Sequence, residues 1–307
     1  MKGLRSIIVI LGIMLLANVE LSACDVCGCN INGHQFGILP LFQKHFVGIR
    51  YKYNSFRSTH PPLFSNETET VSNEYFSTID IWARYNLGQR WQVFGYLPYQ
   101  SSKKDENGVS SSNDGIGDLT LLAMYNLVNQ KRSDDQHWVQ NLQIGGGLKL
   151  PTGNNDFLDQ NNDWIPGIQT GTGSVDLLVN ANYVIRFDAA GLSLEASYRH
   201  NRNNKDHDFK YGDRWLSGLR GFYIFTIGSS SIMPSIGASL DYAKRDYHEG
   251  AWVDLSGGYL VSGQIGIDYF IKNVMFGIQY APVIRQDVAF GNLKANPKFQ
   301  VQCALSF

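Results

Sequence analysis

The chain ends with Pro297-Lys-Phe-Gln-Val-Gln-Cys-Ala-Leu-Ser-Phe307, a segment that alternates strictly between apolar residues and more polar ones. Successive side chains of a β-strand point to opposite faces of the sheet. A period of two residues therefore indicates a strand with one apolar face and one wetter face. The same period recurs along most of the chain and predicts an all-β protein.

About twelve alternating segments follow one another from Val47 to the C-terminus, an even number, as in bacterial membrane barrels. In the first of them, Val47 and Ile49 share one face, while Arg50 and Lys52 share the other. The predicted lipid-facing side is therefore aliphatic and aromatic, and the predicted inner side carries charge.

Short and long connections alternate between these segments. The short ones are 88–90, 129–136, 188–191, 228–231 and 270–273. The long ones are 54–73, 101–114, 152–173, 201–213, 244–251 and 286–294, rich in Asn, Asp, Ser and Gly. This predicts a single antiparallel transmembrane β-barrel with short periplasmic turns and long extracellular loops, surrounded by the lipid of a bacterial outer membrane. A soluble sandwich gives no reason for this alternation and would have to blunt its edge strands.

Composition excludes two other classes of protein. The chain has 307 residues, a net charge of -1 and 17% charged residues. A nucleic-acid partner would require a basic patch, which this charge balance argues against. After the N-terminus no segment offers the roughly 20 apolar residues of a membrane helix.

The N-terminus has the pattern of a secretory signal peptide. Lys2 and Arg5 precede the apolar run 7–17, and Leu21-Ser-Ala-Cys24 follows. A basic start, a short apolar core and small residues before a cut predict removal of residues 1–23. Leu21-Ser-Ala-Cys24 is also similar to a bacterial lipobox. Cys24 is therefore either a lipidated first residue of the mature protein or an unmodified one.

Three cysteines crowd into Cys24-Asp-Val-Cys-Gly-Cys29, within a predicted periplasmic segment, 24–43, that precedes the barrel, 44–307. Thiolates this close can share a soft metal ion such as Cu or Zn, or form a disulfide. If Cys24 carries lipid, Cys27 and Cys29 remain as candidate ligands. No cofactor follows with certainty.

Charged residues at inward positions are candidates for lining the lumen. They are Arg50, Arg84, Asp118, Lys149, Asp176 and Glu195. A lumen of about twelve strands is wider than that of eight-stranded barrels, which side chains just fill. It leaves space for a small solute unless the N-terminal segment or the loops plug it.

Four short motifs carry a family resemblance: Gly115-Ile-Gly-Asp118, Leu150-Pro-Thr-Gly153, Gly171-Thr-Gly-Ser-Val-Asp176 and Leu97-Pro98-Tyr99. Together they are similar to the outer-membrane "transporter" family named for the meta-pathway of phenol degradation. The resemblance covers about residues 44–307 and implies a channel-like role for small aromatic or apolar compounds. The cysteine prefix is not part of the family pattern and leaves room for a role related to a metal.

The terminal aromatic residue Phe307 resembles the C-terminal signal of outer-membrane barrels, which implies the barrel-assembly machinery as a partner. The motif aspartates, Asp118 and Asp176, have two interpretations: they either bind inner Arg or Lys residues across strands or contact a solute. No Gly-x-Ser-x-Gly, His-Glu-x-x-His or phosphate loop occurs, and Ser197 and His200 lie on opposite faces of their strand, so we expect no enzyme.

The sequence therefore predicts passive passage of small solutes through the lumen. The alternative is a closed structural or binding barrel whose cysteine-rich N-terminus binds a soft metal or a periplasmic partner.

Overall fold

The computed structural model describes residues 26–31, 34–40, 44–60, 70–106, 108–130, 137–159, 162, 164–253 and 255–307. Its strands are β1 Val26–Ile31, β2 His34–Pro40, β3 Phe46–His60, β4 Thr70–Leu87, β5 Trp91–Glu106, β6 Val109–Ile116, β7 Leu119–Asn129, β8 Trp138–Leu150, β9 Asp176–Phe187, β10 Ala190–His200, β11 Phe209–Lys210, β12 Arg214–Tyr223, β13 Phe225–Ile227, β14 Ser230–Ala243, β15 Tyr247–His248, β16 Ala251–Trp252, β17 Gly258–Ile271, β18 Val274–Ala281, β19 Val283–Val288, β20 Leu293–Ala295 and β21 Lys298–Ser306. Short 3-10 turns cover Pro166–Ile168 and Ala289–Gly291, and no described helix is long and apolar enough to cross a bilayer.

Sixteen of these segments form one closed antiparallel barrel. Four pairs of segments each continue one another, because both members pair with the same neighbour: β6 with β7, β12 with β13, β18 with β19, and β20 with β21. The barrel therefore has twelve spanning strands, and the first closes on the last, with Val47 opposite Leu305. The predicted fold class and strand number are confirmed.

The two faces of the barrel differ as the alternation predicts. Ile49 and Ile81 are 57% and 51% exposed on the outside, whereas their neighbours Arg50 and Trp82 are 0% exposed on the inside. Such a continuous belt of exposed aliphatic and aromatic side chains would be unfavourable in water. It matches the outer face of a barrel that stands in lipid.

Several strands extend further on the extracellular side than predicted. The predicted loop 101–114 is mostly a hairpin, because β5 runs to Glu106, β6 starts at Val109, and Ser102 pairs with Asn113. The connections 54–73 and 286–294 are shortened in the same way by β3, β4, β19 and β20. Polar strand ends in water lack the apolar alternation that marks a membrane strand, so the sequence pattern does not reveal them.

The other three extracellular connections, 151–175, 201–213 and 244–257, have more structure of their own. The last two form a small sheet through β11, β15 and β16. On the opposite side, tight turns at 88–90, 188–189, 228–229 and 272–273 join the strands, and His45 and Phe307 lie together there, as predicted for the two ends of the barrel.

The segment before the barrel has more order than its sequence indicates, because β1 and β2 pair as an antiparallel hairpin. Cys27 and Cys29 belong to β1, and Cys24 and the predicted signal peptide lie outside the described residues.

Candidate functional site in the barrel lumen

The lumen holds two adjoining cavities, an inner one of about 480 Å³ and an outer one of about 360 Å³ towards the extracellular loops. Both are lined by one set of seven residues, here called the ring: Phe56, Thr172, Arg199, Tyr211, Arg214, Asp241 and Lys298. The ring is therefore the place where a solute moving inwards would pass from one cavity to the other.

The connection 151–175 folds into the lumen and narrows it. Its turn Pro166–Ile168 lines the inner cavity, and Asn113 Nδ2 donates a hydrogen bond to the Ile168 carbonyl at 3.0 Å. The Tyr211 hydroxyl donates to the Pro166 carbonyl at 2.9 Å. Gly153 and Gly171 allow the loop to pass close to itself, since a Cβ on Gly171 would lie 2.4 Å from the Gly153 carbonyl oxygen.

Lys149 lies between two carboxylates on the inner face. Its Nζ is 3.1 Å from Asp118 Oδ2 and 2.6 Å from Asp176 Oδ2, and all three side chains are almost fully buried. Lys149 Nζ also donates to the Thr172 hydroxyl at 2.8 Å. Asp118 and Asp176 therefore bind an inner lysine across strands, which is the first of their two predicted roles.

The same carboxylates hold the inward loop. Asp118 accepts hydrogen bonds from the backbone N–H groups of Gly153 at 3.1 Å and Thr172 at 2.9 Å. Asp176 accepts one from the Arg202 N–H at 3.0 Å. Three of the four sequence motifs therefore meet in one buried network, which positions the loop that narrows the lumen.

The other predicted lumen residues lie deeper. Arg50 is 3.6 Å from Asp80 and stacks over the Trp82 ring at 4.8 Å. Arg84 donates to the Lys44 carbonyl at 2.9 Å near the periplasmic end. Glu195 is buried opposite Gly218. All six predicted residues are on the inner face, but only Asp118 and Lys149 among them line the inner cavity.

An apolar cluster that was not predicted from the sequence lies in the lumen, mostly towards the periplasmic end, although its member Leu178 lies near the extracellular start of β9. It consists of buried, inward-pointing side chains from ten of the twelve strands. Its members are Phe46, Trp82, Phe94, Tyr96, Leu122, Met124, Leu178, Val184, Phe222, Ile224, Met233, Phe270, Met275 and Ala304. The prediction of a polar inner face therefore holds for the extracellular half and only in part for the periplasmic end, where buried polar side chains such as Arg84, Asn126 and Arg186 lie beside the cluster.

Glycines on neighbouring strands make room for the largest rings of this cluster. Gly48 lies directly across from Trp82, and a Cβ there would lie 2.7 Å from the indole Nε1. Gly191 faces Phe222 in the same way, with 2.2 Å to the ring. Apolar residues at inward positions beside the short turns were the signal that could have revealed the cluster.

None of the three cations of the ring, Arg199, Arg214 and Lys298, was among the predicted lumen residues. Arg199 and Lys298 lie at inward positions near the extracellular ends of β10 and β21. The signal for them was their parity, since both positions share a face with the polar residues of their strands. Their convergence on one cavity depends on closure of the barrel.

A hydrogen-bond network fixes the loop beside the ring. Burial opposes ionisation of Asp213, but hydrogen bonds from Tyr198 and Lys244 outweigh it and hold the pKa of this carboxyl below its ordinary value. The Asn201 N–H donates to the same carboxylate at 3.1 Å. Burial raises the pKa of Tyr211, so its hydroxyl stays protonated and keeps its bond to the inward loop.

A closed twelve-stranded barrel with an apolar outer belt and a cavity-bearing lumen defines a transmembrane β-barrel of the bacterial outer membrane. Residues 59–242 match the model of the family described as "Putative MetA-pathway of phenol degradation", and the chain belongs to that family.

The chain is also similar to solved structures, one of which shares its fold. An outer membrane channel from Pseudomonas putida F1 has a TM-score of 0.65 at 15% identity, covering 87% of this chain and 97% of that one. The β domain of the Bordetella autotransporter BrkA has a TM-score of 0.46 at 12% identity, covering 86% and 100%. A FadL homologue from Pseudomonas aeruginosa has a TM-score of 0.40 at 10% identity, covering 86% and 91%. Among curated proteins, no match is found.

Proposed function

We propose that the barrel is a passive channel for small solutes in the outer membrane, with no catalytic role. The observation that carries the proposal is the pair of adjoining cavities, about 360 and 480 Å³, that lead inwards from the extracellular loops. Their walls combine charged groups with the rings of Phe56 and Phe76, which suits solutes that are partly apolar. Membership of the family and the fold shared with the Pseudomonas putida F1 channel support the same function.

The apolar cluster gives this channel a closed resting state. A hydrophobic constriction can block ions by excluding water and opens when its side chains move apart. We therefore expect brief openings rather than the steady current of a wide porin.

A matched pair of tryptophan variants tests passage through the lumen. Ser239 lines the inner cavity, and its neighbour Ala238 points to the lipid from the same strand. We expect Ser239→Trp to lower the conductance of each opening by roughly half, because an indole narrows the pore. Ala238→Trp should leave it unchanged. Silence from folded wild-type barrels in a planar bilayer, or equal conductance in both variants, would favour the closed structural barrel.

We also infer that the C-terminal strand directs assembly through Phe307. The Phe307 N–H donates to the His45 carbonyl at 2.9 Å, and the two rings stack at 5.8 Å. Deleting Phe307 should reduce the folded, heat-modifiable fraction in outer membranes, whereas Phe307→Tyr should keep it. His45→Ala removes the ring contact but leaves the terminal aromatic. If that variant assembles as poorly as the deletion, Phe307 acts through the barrel seam and not as a signal.

For the N-terminus we infer export through residues 1–23 and a mature chain that begins at Cys24, lipidated or unmodified. The mass of the mature protein tests both points, and a cut well beyond Cys29 would refute them. Binding of Cu or Zn by Cys27 and Cys29 is a subordinate proposal. Equal metal content in the parent and in a Cys27→Ser, Cys29→Ser variant would exclude it.

A further inference from the structure

The ring itself carries three cations, Arg199, Arg214 and Lys298, and one carboxylate, Asp241. Asp241 accepts a hydrogen bond from the Arg214 guanidinium at 2.7 Å. Deeper in the inner cavity, Lys52 is 2.8 Å from Asp80. Lys149 already forms ion pairs with Asp118 and Asp176. Within the part of the chain that the structure describes, neither Arg199 nor Lys298 forms an ion pair, so the ring itself has a surplus of two positive charges, which Asp246 in the outer cavity offsets in part.

These two cations come from distant strands of the barrel wall. Arg199 belongs to β10 and Lys298 to β21, five strands apart in a barrel of twelve. Both line the inner and the outer cavity, so a solute that crosses the ring passes between them. The Nε atoms of Arg199 and Arg214 are buried and have no hydrogen-bond partner. A buried donor without a partner is costly, so the protein itself leaves part of the hydrogen-bonding capacity of these guanidinium groups unused.

We propose that the ring is a selectivity site for small organic anions, an inference that rests on the proposed channel function and names its solute class. The anionic group lies between Arg199 and Lys298, where the guanidinium offers paired donors that match a carboxylate. The apolar part of the solute contacts the rings of Phe56 and Tyr211, which line the same constriction. Inorganic anions are attracted by the same positive charge, but they gain no contact with the apolar rings.

Two charge-removing substitutions test the proposal without changing side-chain length greatly: Arg199→Gln and Lys298→Gln, singly and together. The matched control is Lys205→Gln, which removes one cation from an exposed position in the extracellular connection 201–213. The wild-type channel in a planar bilayer under a KCl gradient should have a reversal potential that indicates preference for chloride. Each substitution should lower the anion-to-cation permeability ratio roughly 16-fold, because a charge about 5 Å away in water favours the anion and disfavours the cation about fourfold each. The control should not lower it.

Benzoate and benzyl alcohol separate the anionic group from the apolar ring. We expect benzoate to block the chloride current at concentrations where the neutral alcohol does not, and the double variant to lose the block. A conducting wild-type channel without anion preference, or a double variant with unchanged selectivity and block, would overturn the anion site while leaving passage intact.

If the wild-type barrel conducts no current, calorimetry in detergent tests the anion site instead. Benzoate binding that is lost in the double variant and kept in Lys205→Gln supports the anion site, although passage has failed. Equal binding in all variants, or none in the wild type, overturns the site.

Discussion

Replacing Lys149 with methionine is expected to lower the free energy of unfolding by about 3–5 kcal/mol, the range for breaking a buried ion pair from one side. The substitution keeps the length and packing of the side chain but leaves Asp118 and Asp176 facing each other without their shared cation. Their side chains are only 5% and 0% exposed, so water cannot replace the lost partner. Urea unfolding of the barrel from lipid vesicles, followed by tryptophan fluorescence, measures the change.

Two further variants show whether the loss comes from the buried charges. Lys103 forms an ion pair with Asp105 at 2.9 Å, and both side chains are well exposed to solvent. We expect Lys103→Met to cost at most about 1 kcal/mol, because exposed pairs contribute little. Adding Asp118→Asn and Asp176→Asn to Lys149→Met should recover part of the stability. A Lys149→Met barrel as stable as the Lys103→Met barrel would contradict a role for Lys149 in holding the network together.

Truncating Trp82 to alanine is expected to raise the time-averaged conductance several-fold. Trp82 is fully buried in the apolar cluster and packs edge-on against Phe46, with ring centres 4.3 Å apart. Removing the indole leaves a hole beside Gly48, which has no side chain to fill it. Water can then enter the constriction, and ions can follow. Planar-bilayer recordings of open probability and conductance measure the effect.

The matched control for this variant is Tyr85→Ala, because Tyr85 lies on the same strand and is 58% exposed on the lipid side. It should leave the conductance unchanged. Since a large-to-small change in a core costs about 3–5 kcal/mol for an aromatic residue, Trp82→Ala barrels must first be shown to fold by heat-modifiable migration. Met233→Ala is a smaller truncation in the same cluster and should open the pore in the same direction. Unchanged conductance in both cluster variants would show that the apolar cluster does not block the lumen.

Alternation alone determined the class of fold and the direction of the spanning-strand side chains. The prediction that Ile49 and Ile81 face outwards and Arg50 inwards needs only the two-residue period of a strand, which is local. The number of spanning strands and the side of the chain ends followed from counting segments and connection lengths. Cross-strand binding by the motif aspartates could be anticipated too, because Asp118, Lys149 and Asp176 lie at the matching ends of three successive strands.

Only the tertiary structure decided what those inward side chains meet. In the sequence, Trp82 and Phe94 are isolated aromatic residues at inward positions. Closure of the barrel brings them together with residues from eight other strands. Arg199 and Lys298 are 99 positions apart in the sequence, and they share a cavity because of how the closed barrel places β10 opposite β21. The inward course of the connection 151–175 is likewise held by bonds to distant residues such as Asn113 and Tyr211. A local period specifies which face a residue takes, but the height and partners of each side chain depend on strand register and closure, which are properties of the whole sheet.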